Sequence, residues 1–184
     1  MADNFIQSVQ DATKDAPKSI NWYRDKIREF GKPGALDLIR DGRRTTRPSA
    51  FNLNMFVYDP KYKKTLPYYD TFPLVLPLER YSDGFLGLNF HYLPIPLRVR
   101  LLDKINTIPE DNQYSERDQL RISYARASTI PMAKAVIKRY LYSHLKSQIR
   151  VVSPDEWVIA VLLPVQRFKK ASTSKVYNET KKLF

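Results

Sequence analysis

The chain has 184 residues, with 31 Lys and Arg against 19 Asp and Glu, a net charge of +12 and no cysteine. That length suits one domain, or one domain with ordered arms. The lack of cysteine excludes disulfides, thiolate metal sites and thiol nucleophiles, while the cationic surplus points to anionic partners, whether nucleic acid or acidic protein faces.

Twelve Tyr, nine Phe and two Trp supply apolar surface for a core, which a disordered chain would lack. No run approaches the roughly 18 apolar residues of a membrane span, so no membrane partner is expected. Met1-Ala2-Asp3-Asn4 does not open like a secretory leader, so a soluble, non-secreted protein is expected.

In chain order, residues 1–18 predict an amphipathic helix on Phe5, Ile6, Val9 and Ala12, ending near Pro17. Ser19 is a suitable N-cap for a second helix, which carries Ile20, Trp22, Tyr23, Ile27 and Phe30 before Gly31 closes it. This pair reads as an arm over 1–34 that docks on a partner through Trp22, Tyr23, Ile27 and Phe30. A short helical turn over 35–40 precedes Arg40-Asp41-Gly42-Arg43-Arg44-Thr45-Thr46-Arg47-Pro48, an extended basic surface loop.

The centre is rich in strand signals. Leu53–Tyr58 predicts a strand, and Asp59-Pro60 opens a loop bearing Lys61, Lys63 and Lys64. Phe72–Glu79 is an apolar run broken by Pro73 and Pro77, which fits an edge or bulged strand better than a central one. Ser82-Asp83-Gly84 is a hairpin signal, with Phe85–Tyr92 as the returning strand. Three or four such strands predict a small curved antiparallel sheet, with an SH3-like half-barrel as one form of it.

Helical spacing follows. Pro96 sits in a first turn, with Leu97, Leu101, Leu102 and Ile105 on one face, and Pro109–Asn112 breaks the helix. Residues 115–127 are weakly helical, with Leu120 and Tyr124 inward. Thr129 then caps a long helix begun by Pro131, whose stripe is Ala133, Val136, Ile137, Tyr140, Leu141 and Leu145. Arg150–Val152 reads as extended, Trp157–Leu163 as a buried strand, and 166–184 as a polar, basic tail. The fold class is therefore α+β, with a core domain over 35–165 between the arm and the tail.

The charge is clustered. Residues 32–64, 134–150 and 167–184 each carry +5, leaving −3 for the remainder. The candidate anion-binding residues are Arg40, Arg43, Arg44, Arg47, Lys61, Lys63, Lys64, Lys134, Lys138, Arg139, Lys169 and Lys170. Lys134, Lys138 and Arg139 fall on the exposed side of the predicted long helix. Tyr62, Tyr68 and Tyr69 add rings able to stack on bases or meet cations. Solvated lysines and basic segments docked on acidic protein neighbours would give the same composition.

Catalytic signatures are missing. No Walker loop, dinucleotide fingerprint or GxSxG elbow is present, and Gly84 and Gly87 form no phosphate cradle. His91 and His144 lack metal-ligand spacing; His91 reads as a packed or rim residue and His144 as an exposed one. Pro154-Asp155 followed by Glu179-Thr180-Lys181 has the letters of a metal-dependent nuclease, but no apolar strand leads into Glu179. No enzyme activity and no cofactor or metal are expected.

The strings Met55–Lys61, Leu66-Pro67-Tyr68-Tyr69-Asp70-Thr71-Phe72-Pro73 and Gly84-Phe85-Leu86-Gly87 through His91-Tyr92-Leu93-Pro94 resemble a small-protein family of T-even-type contractile-tailed bacteriophages. Glu156-Trp157, Leu163-Pro164-Val165 and Ser174–Tyr177 extend the resemblance over about residues 20–180. It implies a virion-located assembly component of the head, neck or tail, within a homo- or hetero-oligomeric assembly with other virion proteins and possible contact with double-stranded DNA. The alternative it implies is a nonspecific DNA-binding or DNA-end-protecting protein.

Overall fold

Strand periodicity is strongest in the middle of the chain, and the sheet is built from there. In the computed structural model, residues 43–106, 124–152 and 156–184 are described. The expected arm over 1–34, the turn over 35–40, the break at Pro109–Asn112 and Leu120 lie outside them.

The strands are β1 (Arg44–Thr45), β2 (Leu53–Met55), β3 (Tyr69–Asp70), β4 (Leu74–Arg80), β5 (Gly84–Asn89), β6 (Ile137–Leu141), β7 (Ile149–Val152) and β8 (Phe168–Lys169). Six form one antiparallel sheet in the order β1-β7-β2-β4-β5-β6, and β3 pairs with β8 in a two-stranded sheet. The large sheet has more strands than the three or four expected and is not a closed barrel. Its curvature brings Arg47, just past β1, to 3.8 Å from the ring of Tyr142, just past β6.

The β4–β5 hairpin forms where the Asp-Gly signal placed it, with Arg80 opposite Phe85. β4 is central in the sheet order, yet Pro77 lies beyond its last pairing with β2, at Val75, and beside a register shift. No ladder hydrogen bond from that neighbour is asked of the proline. Gly84 and Gly87 serve close approach: a Cβ at Gly84 would lie 2.0 Å from the Tyr140 carbonyl oxygen.

Alternation gives the sheet two apolar faces. Leu74, Leu76, Leu78 and Leu88 face the helices, while Val75, Phe85 and Tyr140 join Phe56, Tyr58 and Ile149 in a compact aromatic cluster. Phe56 meets Tyr140 edge-on at 5.3 Å, and Phe85 stacks on Tyr140 at the same separation.

The helices are α1 (Ile95–Asn106), α2 (Pro131–Val136), α3 (Trp157–Leu162) and α4 (Thr173–Lys181). Several expectations are corrected here. The long helix over 131–145 ends at Val136: Ile137 adopts an extended backbone and opens β6, paired along β5. Ile130, not Thr129, occupies its N-cap, and the Thr129 hydroxyl instead bonds the Arg126 carbonyl at the end of the helical stretch 124–129. Within that stretch Ala127 is buried and Tyr124 is exposed.

The run at Trp157 is a helix rather than a strand. It is apolar on all sides, so its pattern carries no period to separate the two states. The segment 166–184 is not a free tail: β8 pairs with β3, and Ser172 caps α4, whose Val176 and Thr180 are buried. The core therefore runs past the expected boundary at 165.

One buried cation ties these elements together. Arg98, on α1, is fully buried. Its Nε donates to the Leu93 carbonyl at 2.8 Å, and Nη1 donates to the carbonyls of Leu163 at 3.1 Å and Val161 at 3.4 Å. Nη2 donates to Gln166 Oε1 at 3.0 Å and to the Tyr177 hydroxyl at 2.9 Å. All five guanidinium N–H groups thus have acceptors, two of them carbonyls at the end of α3 that the helix itself leaves open.

Replacing Arg98 with Met strands those acceptors in the core, each at about 1–3 kcal/mol. Arg98→Met should therefore lower the unfolding free energy by at least about 3 kcal/mol in urea titration. Arg98→Lys should recover little, because three donors on one nitrogen cannot span the fork.

Candidate nucleic-acid interface

Side chains two apart on a strand share a face, so Asn89 on β5 and Lys138 and Tyr140 on β6 project on the aromatic side of the sheet. Gly87, paired with Lys138, adds nothing there; a Cβ would meet Val75 Cγ1 at 2.2 Å. The segment 59–69 covers this region and leaves a cavity of about 540 Å³. Tyr58, Tyr62, Tyr68 and Tyr92 supply rings to its lining, and Asp70, Asn89 and Tyr140 are buried lining residues.

Asp70 is held by four donors. Oδ1 accepts from the backbone N–H groups of Phe72 and Arg167, both at 3.0 Å. Oδ2 accepts from His91 Nδ1 at 2.9 Å and Asn89 Nδ2 at 3.4 Å. Burial alone would raise the carboxyl pKa, but the imidazole and the backbone donors outweigh it and hold Asp70 below the usual range. Burial keeps the His91 pKa below its ordinary value against the pull of Asp70, so a neutral imidazole donates through Nδ1.

The covering segment is fastened at several points. Thr65 and Leu66 N–H groups both donate to the Tyr62 carbonyl at 3.0 Å. Lys63 Nζ binds both oxygens of Asp59, at 2.9 and 2.8 Å, in an exposed pair that lowers the Asp59 pKa and raises that of Lys63. Lys170 Nζ donates to the carbonyls of Lys64 and Leu66 at 2.8 and 2.9 Å. Lys170 itself has a φ of 68°, a left-handed conformation costing about 1–2 kcal/mol outside glycine.

These contacts sort the predicted cations. Lys61, Lys64 and Lys170 come together at the loop, with Lys138 and Arg139 on the adjoining edge strand β6. Lys63 and Lys170 are engaged as fasteners, and Arg139 pairs with Asp83 while lying 4.0 Å from the Tyr81 ring. Lys138 is half-buried, its Nζ 4.5 Å from the Tyr92 ring, with no carboxylate in ion-pair range among the described residues. Burial lowers its pKa. Lys138 and Arg139 are consecutive strand residues, not neighbours of Lys134 on one helical face.

Arg43 and Arg44 are exposed at the opposite edge strand, β1, and Arg47 stacks on Tyr142. Lys134 is exposed on α2, and Lys169 on β8. Arg40 and the docking candidates Trp22, Tyr23, Ile27 and Phe30 lie outside the described residues. His144 is half-buried, its Nδ1 2.7 Å from the Asp59 carbonyl, rather than exposed on a basic helix. Among the described residues no helix is long and apolar enough to cross a membrane.

Sequence reasoning missed the Asp70–His91–Asn89 cluster. The signal was the position of Asp70 between two tyrosines and the apolar run that becomes β4.

Comparison with known proteins adds one match. A family model described as phage T4 terminal DNA protecting protein matches residues 1–183. No curated protein and no solved structure matches.

The buried acid–imidazole pair sets the acid response. A histidine whose folded pKa is depressed gives stability that is full above its unfolded value, about 6.5, and is lost as pH falls below it. A depressed carboxylate gives stability present above about 3.9 that is lost as pH falls through the folded value. The urea midpoint should therefore decline below about pH 6.5 and again, more steeply, below about pH 4. His91→Gln, which keeps a donor for Asp70, should flatten the first decline and leave the second.

Proposed function

Because the chain belongs to the phage T4 terminal DNA protecting protein family, we propose that it binds the ends of linear duplex DNA and shields them by occupancy. The family match over residues 1–183 is the observation that carries this reading. It favours DNA over an acidic virion subunit as the anion that the clustered cations meet.

The chemistry of the surface fits that partner. Arg43, Arg44, Lys61 and Lys64 are exposed, and such cations neutralise backbone phosphates without regard to sequence. Protection in this reading needs no bond-making step: a bound protein excludes an end-directed nuclease from the terminus. An assembly role in the particle is compatible with it, and would place the protein on packaged DNA ends rather than between subunits.

The test is exonuclease digestion of a linear duplex alongside binding to covalently closed circles of the same sequence. Protein should preserve the linear substrate and bind circles more weakly. If six phosphates are contacted, affinity should fall with a log–log salt slope of about −5. Arg43→Glu combined with Arg44→Glu, or Lys61→Glu combined with Lys64→Glu, should weaken binding and flatten that slope. Undiminished digestion at saturating protein, or equal affinity for circles and linear ends, would overturn the reading.

A further inference from the structure

We infer that the cavity between the 59–69 segment and strands β5 and β6 receives one unpaired terminal nucleotide of a DNA strand, its base among the tyrosine rings and its phosphate at the cationic rim. This deepens the end-binding reading and rests on it.

Size and shape come first. A space of about 540 Å³ lies within the range of small-ligand sites, and it is partly open rather than sealed. Its rings are spread around the opening: Tyr62 is 63% exposed, while Tyr92 is buried and packs at 6.1 Å from Tyr68. Aromatic faces stack on any base, because every base has a π-face.

The polar groups narrow the ligand class. Asp70 has all its hydrogen-bonding capacity taken by four donors, so it holds Asn89 and His91 in place instead of reaching outward. What remains for a ligand is mainly the hydroxyl groups of Tyr62, Tyr68 and Tyr69, which donate or accept as the partner requires, since those of Tyr58, Tyr92 and Tyr140 already have partners in the protein. Such a lining satisfies the edge of any of the four bases without choosing among them.

The cations supply the other half. Lys138 is half-buried beside the Tyr92 ring, its Nζ donating to the Ala135 carbonyl at 3.4 Å but without a carboxylate partner among the described residues, and Lys61 lies at the exposed margin, its Nζ 5.3 Å from the Tyr62 ring. An ammonium withdrawn from water gains most from an anion placed beside it. A wholly apolar ligand would leave that charge with only the Ala135 carbonyl and the Tyr92 ring to answer it. An acidic peptide would bring its carboxylates against Asp70 and Asp83. A metal ion is disfavoured because no cluster of three or more ligating side chains occurs among the described residues. A nucleotide joins a flat apolar ring, hydrogen-bonding edges and one anionic group, in the combination this lining presents.

Two hairpin duplexes test the inference with the full chain. One carries a two-nucleotide single-stranded extension with 2-aminopurine at its tip; the other has its terminal base pair covalently cross-linked. The extended end should bind about tenfold tighter, with a change in 2-aminopurine emission on binding. Tyr62→Ala, at a largely exposed ring, and Lys138→Met should each cut that preference at least about fivefold and abolish the emission change. Binding to the cross-linked end should stay within about twofold. Equal wild-type affinity for the two ends would overturn the cavity assignment and leave end binding standing. Variants that weaken both ends alike would do the same. Binding to neither hairpin would remove the end-binding reading itself.

Discussion

The Arg98 guanidinium is the constraint on which the rest of the arrangement depends. It keeps its charge in the core, where desolvation lowers its pKa but does not bring a guanidinium near neutrality. A buried charge of this kind is tolerable only when its donors are satisfied, and its five N–H groups find five oxygens on the segment before α1, on α3, on α4 and on the stretch between α3 and β8. The contacts to Gln166 and Tyr177 are what turn a polar C-terminal segment into part of the domain.

From there the constraint passes to the candidate site. Gln166 is held by Arg98, and the next residue, Arg167, donates its N–H to Asp70 while its carbonyl accepts from the N–H and hydroxyl of Thr71. Two buried charges of opposite sign therefore bracket residues 166–167. Asp70 in turn fixes Asn89 and His91, and thereby one wall of the cavity. The loop over that cavity is secured from the same C-terminal segment by Lys170, whose left-handed backbone shows that the surroundings over-determine its position.

How much of this was legible depended on whether one period fitted a segment. The β4–β5 hairpin was legible because alternation and Asp83-Gly84 agree. Position 98 was overlooked: the face drawn through Leu97, Leu101, Leu102 and Ile105 fits the helical period, but so does Arg98 with Leu101, Leu102 and Ile105, and it is Arg98 that is fully buried. The switch at Ile137 was hidden, since Ile137, Tyr140 and Leu141 satisfy a helical stripe as readily as a strand whose inward residues are Lys138 and Tyr140. The fold of 166–184 was hidden for another reason. Its anchors are the buried Val176 and Thr180 and hydrogen bonds to a distant arginine, and none of these leaves a local hydrophobic pattern.

The same local blindness made the cation count misleading. The sequence presents Lys61, Lys63, Lys64, Lys138, Arg139 and Lys170 as equals, whereas Lys63, Arg139 and Lys170 spend their donors within the protein. This matters for any preference for ends. Exposed cations grip phosphates, and phosphates are the same at an end and in the interior of a duplex, so charge alone supplies affinity without discrimination. Discrimination needs a group sensitive to something only a terminus offers readily, and an unpaired base is such a thing: exposing one in the interior costs a few kcal/mol of stacking and pairing. A tyrosine-lined cavity with a half-buried lysine at its edge, lacking a carboxylate partner among the described residues, is the part of this structure that can sense that difference. Gly87, opposite Lys138, leaves room for the buried Val75 side chain, which a Cβ there would meet at 2.2 Å, so the packing of one hairpin sets the face on which Lys138 and Tyr140 stand.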